Sequence, residues 1–249
     1  MINLKNIKPD LREVEDLKEI IYDKEWLKTA PKDLKLYYMY RDLAENEIDR
    51  RKIVKSDLRY DITIISSLML GKEFNKTIGH DHPIVPGTDM TYPELYEVLE
   101  GEAIFFLQDS DNDEIKDVFA VKAKKGDKIV ILPNYEHLII NPSKNELKTC
   151  NWLCRRFGSN IYKPFRVRHG FCYYAVKDPS TSDIRPSSVE SLKTSWIKNE
   201  NYASIPCLRW VEPNTFYKFK LPKDKPIYQL VENLEKLNFL KNPQKYEWN

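Results

Sequence analysis

The chain has 249 residues, and its 40 lysines and arginines against 38 acidic residues give a net charge of +2. That balance gives no reason to expect nucleic acid or an acidic membrane surface as a partner. The length suits one large domain or one domain with extensions, and no run of about 18 apolar residues predicts a transmembrane helix.

The N-terminus and the cysteines favour a reduced, cytoplasmic setting. Residues 1–30 carry scattered charges and contain no apolar core of the kind that a secretory signal peptide needs. The four cysteines form neither a Cys-x-x-Cys pair nor a dense disulfide pattern. We therefore expect a cytoplasmic protein with free thiols and no contact with a membrane.

The first fifth of the chain has the apolar spacing of helices. Leu11, Val14 and Leu17 recur at three-residue intervals, and a dense aromatic run follows at residues 37–40. Alternating charges then continue to residue 54. This pattern predicts a helical N-terminal extension over residues 1–56, packed on the main domain.

From residue 57 onward the pattern changes to short strands. Runs of β-branched and aromatic residues are separated by turn residues at intervals of roughly 8–12 positions. The predicted strands are 61–67, 74–82, 94–99, 103–108, 117–122, 128–132, 137–141 and 147–155, with one or two more within 162–176. Such a series predicts a mainly β domain over residues 57–178, an antiparallel sandwich or barrel.

The remaining residues, 179–249, are less regular. Trp196 and residues 208–210 favour edge strands, and apolar residues in 226–240 follow helical spacing. We expect a C-terminal extension that ends in an amphipathic helix, and a chain that forms one globular unit.

Most of the histidines fall into one candidate metal site. The chain has four histidines, and His80 and His82 stand two positions apart in a predicted strand. Side chains alternate across a strand, so these two imidazoles share a face, as do Glu94 and Tyr96. With His137 they offer the three imidazoles and one carboxylate of a divalent transition-metal site. The alternative is that His80 and His82 are ordinary strand residues near a turn.

These residues resemble the cupin-type glucose-6-phosphate isomerases, a chiefly archaeal family with a metal-dependent jelly-roll barrel. The similarity covers residues 60–175 and joins two motifs in order. They are Thr77-Ile78-Gly79-His80-Asp81-His82 with Glu94-Leu95-Tyr96, then residues 133–137 with Asn141. The loop between His82 and Glu94 is longer than in the short family members, and Asn134 and Tyr135 stand where the family often has proline or aromatic residues.

The resemblance implies a role for individual residues. The metal ligands would be His80, His82, Glu94 and His137, and the substrate contacts would be Thr63, Thr77, Gly79 and Tyr162. Tyr96 matches the tyrosine that stands beside the glutamate ligand in the family. Iron, manganese, nickel and zinc all suit this ligand set.

The resemblance also implies an activity. It is the interconversion of glucose 6-phosphate and fructose 6-phosphate in glycolysis or gluconeogenesis, carried out by a homodimer. Glu94 would be the base that moves a proton between C1 and C2, although a metal-mediated hydride shift needs no base. Glu97 is a rival base that strand alternation points out of the barrel. A cupin Fe(II) dioxygenase and a non-catalytic sugar-binding cupin are the alternatives, because the fold alone does not decide.

Overall fold

The strands form three sheets in the computed structural model, which describes residues 2–179, 193–213, 221 and 224–248. Among the described residues, one pair of neighbouring strands is parallel, Glu114–Lys124 with Arg209–Val211, and the other pairs are antiparallel. The first sheet has six strands, in the order β1 (Asp10–Glu13), β2 (Lys35–Tyr40), β3 (Leu58–Ile65), β11 (Leu147–Cys154), β6 (Glu94–Glu100) and β9 (Lys128–Ile131).

The other two sheets have four strands each. One has the order β10 (Glu136–Ile140), β7 (Glu102–Asp111), β8 (Glu114–Lys124) and β14 (Arg209–Val211). The last has the order β13 (Thr194–Lys198), β12 (Tyr173–Lys177), β5 (Glu73–Phe74) and β4 (Met69–Leu70). The hairpin between β7 and β8 turns at Asn112, whose φ of 59° suits a tight turn.

The barrel interior lies between the six-stranded sheet and the β10-β7-β8-β14 sheet. Alternate residues of both contribute to one buried apolar cluster, which includes Tyr96 and Val98 from β6 and Phe105 and Leu107 from β7. Leu95 on β6 and Phe106 on β7 face the other way and join different clusters. The prediction of a mainly β, antiparallel barrel is therefore confirmed, and alternation on β6 assigns Glu94 to the interior.

The N-terminal segment is not the helical extension that its spacing predicts. It has short helices, α1 (Val14–Leu17), α2 (Lys24–Leu27) and α3 (Glu47–Lys55), but β1 and β2 are strands of the six-stranded sheet. Within the aromatic run, Tyr37 and Met39 are buried toward the barrel interior. Period-two burial and the strand preference of aromatic side chains outweigh the helical spacing further upstream.

The C-terminal segment covers the outer face of the six-stranded sheet. The indole N–H of Trp152 donates to the carbonyl of Ile227 (2.8 Å), and Phe239 and Leu240 are fully buried in the same apolar cluster. Within 226–240 the chain forms two 3-10 helices, Ile227–Glu232 and Leu234–Leu240, in place of the single amphipathic helix that the sequence predicts. Apolar residues at 231, 234, 237 and 240 repeat every third position, which is the period of a 3-10 helix.

The edge strands expected near Trp196 and residue 209 correspond to β13 and β14. Residues 180–192, 214–220, 222–223 and 249 of the predicted extension lie outside the described residues. Among the residues that are described, no helix is long and apolar enough to cross a membrane.

Candidate metal centre

Backbone pairing brings His80 and His137 together. The N–H of His80 donates to the carbonyl of His137, and the N–H of His137 donates to that of His80, both at 3.1 Å. His137 lies on β10, and His80 follows β5 in a stretch that forms isolated bridges. The single strand predicted over residues 74–82 is therefore wrong, because only Glu73–Phe74 forms a strand there. The shared face of His80 and His82 survives this change.

The four predicted ligands converge. One ligand atom from each of His80, His82, Glu94 and His137 lies within 4.8 Å of all the others. Glu94 Oε2 is 3.5 Å from His137 Nε2 and 3.9 Å from His82 Nε2. The imidazole centroids of His80 and His137 are 4.5 Å apart. Three nitrogens and one oxygen at these separations suit a divalent transition metal.

The polar atoms at this centre are buried without protein partners. Within the described part of the chain, His80 Nε2, His82 Nε2 and Glu94 Oε2 are inaccessible to solvent and form no hydrogen bond. Leaving such atoms unpaired costs free energy, so a buried group of this kind requires an explanation. A bound cation would satisfy all three atoms at once, and these residues therefore fit the metal that the sequence predicts.

The His82 ring is oriented by a contact outside the centre. His82 Nδ1 lies 2.5 Å from the carbonyl oxygen of Tyr92, to which only a protonated nitrogen can donate. The lone pair is then on Nε2, the atom that faces Glu94. Metal-binding histidines commonly have such a partner, which fixes the tautomer and the direction of the ring.

The loop that carries Tyr92 is held by Asn134. The N–H of Thr91 donates to Asn134 Oδ1 (2.9 Å), and the N–H of Asn134 donates to Thr91 Oγ1 (2.7 Å). Asn134 has a φ of 66°, a conformation that asparagine tolerates better than most residues. This departure from the usual family residue therefore ties the long loop after His82 to the turn before β10.

Burial sets the protonation of the centre. Burial lowers the pKa of His82 to about 4 and, together with the charge of His137, lowers the pKa of His80 well below its usual value. Burial alone would raise the pKa of Glu94, but His82 and His137 outweigh it and the pKa is lowered. At neutral pH the centre thus has neutral imidazoles at positions 80 and 82 and an ionised carboxylate, the forms that bind metal.

Tyr96 and Glu97 lie on opposite faces of β6. The Tyr96 hydroxyl is 3.4 Å from His137 Nε2, and burial raises its pKa well above the usual value. Glu97 instead accepts a hydrogen bond from the N–H of Ile227 (2.6 Å) in the outer cluster. Alternation thus excludes Glu97 from the centre, as the sequence predicts.

The predicted substrate residues and most of the predicted ligands line one cavity. Its volume is about 50 Å³. Thr77 Oγ1 accepts a hydrogen bond from the N–H of Ile139 (3.0 Å), and the Tyr162 hydroxyl accepts one from Asn160 Nδ2 (3.1 Å). The predicted residues on its lining are Thr63, Thr77, Gly79, His80, Glu94, Tyr96, His137 and Tyr162. His82 is not among these lining residues, and its ring packs edge-on against Phe157.

Of the one or two strands predicted within 162–176, one is present as β12, whereas Tyr162 precedes a short helix. Residues Lys163–Val167 form a short helix, α4, with Pro164 in its first turn, a favourable position for proline. Arg166 lies within this helix and pairs with Glu19, and His169 Nδ1 lies 3.2 Å from the Glu19 carbonyl oxygen. Within the described residues, Arg166 therefore has a partner away from the cavity.

Several cavity residues escaped the sequence prediction. Arg59 and Asp61 precede Thr63 on β3, and Arg41 follows β2. The sequence pattern that could have identified them is the alternation of a strand, in which every second residue shares a face. It runs through positions 37, 39 and 41 and through positions 59, 61 and 63. It is visible only once residues 35–40 are recognised as a strand.

A family model described as "Glucose-6-phosphate isomerase (GPI)" matches residues 11–189. The chain belongs to the glucose-6-phosphate isomerase family. The match to this family extends well beyond residues 60–175, and it includes β1 and β2 of the N-terminal segment. No curated protein sequence matches the chain significantly.

Solved structures similar to this family member include proteins with other activities. An oxalate oxidase is 15% identical with a TM-score of 0.36, over 51% of this chain and 54% of that one. The oxalate decarboxylase of Lactobacillus farciminis is 17% identical with a TM-score of 0.38, over 53% of this chain and 32% of that one. Hazelnut vicilin is 14% identical with a TM-score of 0.36, over 50% and 32%. The chain thus spans about half the length of the oxalate oxidase.

Gly79 holds the backbone beside His80 in a conformation that disfavours other residues. Its φ is +76°, and a Cβ there would lie 2.3 Å from Phe171 Cε2. Phe171 is buried and stacked on Phe165, so it has little room to move. We expect Gly79→Ala to lower the free energy of unfolding and the bound metal per chain.

Gly87→Ala is the matched control, because Gly87 has a φ of +79° and a Cβ there meets nothing within 4 Å. Both variants bear the cost of a left-handed alanine, roughly 1–2 kcal/mol. The clash should make Gly79→Ala worse by about 1–3 kcal/mol in denaturant unfolding. Equal losses for the two variants would contradict the role assigned to Phe171.

The metal-free protein should lose stability in mild acid. Between the ordinary histidine value of 6.5 and the folded-state pKa of about 4, His82 is protonated in the unfolded chain but not in the folded one. The free energy of unfolding should therefore fall as pH decreases through this window, by up to about 1.4 kcal/mol per pH unit for each such histidine.

Urea unfolding in the presence of a chelator, near neutral pH and at pH about 5, measures this slope. His82→Asn should flatten it, since the side chain no longer titrates. His169→Asn is the control, because that histidine is exposed and its φ of 59° suits asparagine. The same slope in wild type and His82→Asn would refute the assignment.

Proposed function

We propose that this chain is a metal-dependent aldose–ketose isomerase that interconverts glucose 6-phosphate and fructose 6-phosphate. The observation that carries the proposal is the shared cavity, in which His80, Glu94 and His137 lie beside the hydroxyls of Thr63 and Thr77. A metal-binding group and neutral hydrogen-bond donors around one small space suit a polar sugar. The family match supports the same reaction.

The ion would be held by His80, His82, Glu94 and His137. When bound, it would supply Lewis-acid polarisation of the sugar oxygens at C1 and C2. The nitrogen-rich donor set suits iron, manganese, nickel or zinc. The buried imidazoles and their partners, such as the Tyr92 carbonyl, hold the ligand atoms in place before substrate arrives.

The surrounding side chains would orient the substrate and move its proton. Tyr96 keeps its proton at neutral pH and is a hydrogen-bond donor to a sugar oxygen. Glu94 is ionised and is the proposed base for transfer between C1 and C2. Thr63, Thr77, Tyr162 and the backbone N–H of Gly79 are the proposed contacts of the phosphate.

The cavity has a volume of about 50 Å³, which is room for a few water molecules. The homodimer implied by the family resemblance and the cytoplasmic location expected from the N-terminal sequence remain predictions.

Activity and metal content test the proposal together. Metal-stripped protein should be inactive, and reloading with iron, manganese, nickel or zinc should restore conversion of fructose 6-phosphate to glucose 6-phosphate. Substituting a residue that supports a metal ligand typically lowers metal affinity or activity by roughly 10- to 100-fold. His137→Ala removes a proposed ligand itself, so it should lower metal affinity and turnover by more than this. His169→Ala, which removes an exposed histidine, should change neither.

No turnover with any of the four metals would contradict the isomerase. Oxygen consumption with a small organic substrate would instead identify a dioxygenase. Binding of sugar phosphate without turnover would identify a non-catalytic sugar-binding protein.

Solvent deuterium tests Glu94 as the base. With metal in excess, Glu94→Gln should transfer much less solvent deuterium into product than wild type, because the amide cannot accept and return the proton. Glu97→Gln is the matched control, since Glu97 faces the outer cluster. Normal exchange in metal-loaded Glu94→Gln would exclude this role, and product free of deuterium from wild type would indicate a hydride shift.

A further inference from the structure

Two arginines and one buried carboxylate lie on the lining of the cavity. Arg59 and Asp61 come from β3, and Arg41 from the end of β2, where Tyr40 pairs with Ile62. Thr63 and Tyr162 line the same space. None of the phosphate contacts that the sequence predicts, Thr63, Thr77, Gly79 and Tyr162, carries a charge.

Asp61 holds both guanidinium groups. Arg59 Nε donates to Asp61 Oδ1 (3.0 Å), and Arg59 Nη2 lies 2.9 Å from Oδ2. Arg41 Nη1 donates to Oδ2 at 3.3 Å, and the N–H of Asp42 donates to Oδ1 at 2.8 Å. The Asp61 side chain is only 4% exposed, so these contacts fix the positions of both arginines within the wall.

Arg41 is held less firmly than Arg59. Its contact with Asp61 is the longer one, and its second carboxylate, Asp10, is 57% exposed. Exposed ion pairs of this kind contribute little because water screens them. Arg41 Nη2 meets the sulfur of Met39 at 3.1 Å, and a thioether is a weak acceptor. Arg41 can therefore exchange a weak contact for a stronger anionic acceptor.

The charges around the cavity favour a dianion. Arg41 and Arg59 carry two positive charges against the one buried charge of Asp61, and the charge of Asp10, the other partner of Arg41, is exposed and screened by water. A divalent ion held with Glu94 would add one more positive charge to the balance. A sugar phosphate carries about −1.5 to −2 at neutral pH, which matches this surplus. Hydroxyls such as Thr63 and Thr77 can orient a phosphate but cannot neutralise it.

We propose that Arg41 binds the phosphate group of the substrate, with Asp61 as its positioning residue and Arg59 as a fixed balancing charge. The inference rests on the proposed function for the identity of the sugar phosphate. The anion site itself rests on the contacts of Arg41, Asp61 and Arg59. Arg41 thereby selects phosphorylated over unphosphorylated sugars, because its guanidinium pairs with phosphate oxygens and has no equivalent partner on a neutral sugar.

Calorimetric binding of inorganic phosphate and of fructose 6-phosphate to the metal-loaded protein tests the proposal without requiring turnover. Arg41→Gln should weaken both by about 10- to 100-fold, the range expected for a hydrogen bond to a charged group. Arg41→Lys should retain part of the affinity, since it keeps the charge but loses the planar donors. Arg51→Gln is the matched control, because Arg51 is 79% exposed and pairs with Glu47 on α3.

Kinetics give a second readout. Arg41→Gln should raise KM for fructose 6-phosphate with a smaller change in kcat, and leave kcat/KM for unphosphorylated fructose within about 2-fold of wild type. Metal content and thermal unfolding should stay near wild-type values. Equal phosphate affinity in wild type and Arg41→Gln would overturn the proposal, as would a variant that loses stability but keeps its affinity.

The two proposals fail in distinguishable ways. If wild type binds phosphate through Arg41 but converts no sugar phosphate, the isomerase is wrong and the anion site stands. If wild type isomerises fructose 6-phosphate and Arg41→Gln does so with unchanged KM, the isomerase stands and the role of Arg41 is wrong. If Arg41→Gln folds poorly, Arg41→Lys replaces it in the test. A phosphate affinity and a KM equal to those of wild type in Arg41→Lys would also contradict the proposed role of Arg41.

Discussion

The pair of backbone hydrogen bonds between His80 and His137 is the constraint on which the site depends. It fixes the register between the irregular stretch after β5 and strand β10, two segments far apart in sequence. A shift of one residue would turn one imidazole away from the other, because side chains alternate across a strand. Gly79 allows this register, since a side chain there would meet Phe171. The same backbone register therefore determines both the packing of the barrel wall and the geometry of the candidate metal centre.

Alternation on β6 divides that single strand between two environments. Glu94 and Tyr96 face the cavity, whereas Leu95 belongs to the outer cluster that the C-terminal segment covers. Glu97 accepts the N–H of Ile227 there, so the same strand that supplies a ligand also anchors the C-terminal segment. Loss of the covering segment would expose a broad apolar face, and the strand carrying Glu94 would lose its support. The metal centre therefore depends on residues more than a hundred positions away in sequence.

The sequence was sufficient to bring the four candidate ligands together, but not to place the cavity wall beside them. His80, His82, Glu94 and Tyr96 are readable because period-two spacing within a few residues already predicts a shared face. Arg41 was missed because helical spacing at residues 11–20 was extended over the aromatic run, which is a strand. Its contact with Asp61 arises from the pairing of Tyr40 with Ile62, a register that no local pattern specifies. Likewise, apolar residues at every third position in 231–240 are compatible with an α-helix and with a 3-10 helix. Packing against the six-stranded sheet decides between the two.

The ligand set does not by itself select a reaction, because three histidines and a glutamate support several chemistries on one fold. What distinguishes one chain from another is the side chains that surround the ion. In this chain, the N-terminal segment supplies part of the cavity lining, namely Tyr37, Met39 and Arg41. Because β2 is hydrogen-bonded along β3, this segment is a structural part of the barrel and not an appendage. Its pairing positions a cationic side chain on the cavity lining, so the proposed selectivity for an anionic sugar would depend on the same sheet that bears Glu94, a candidate metal ligand.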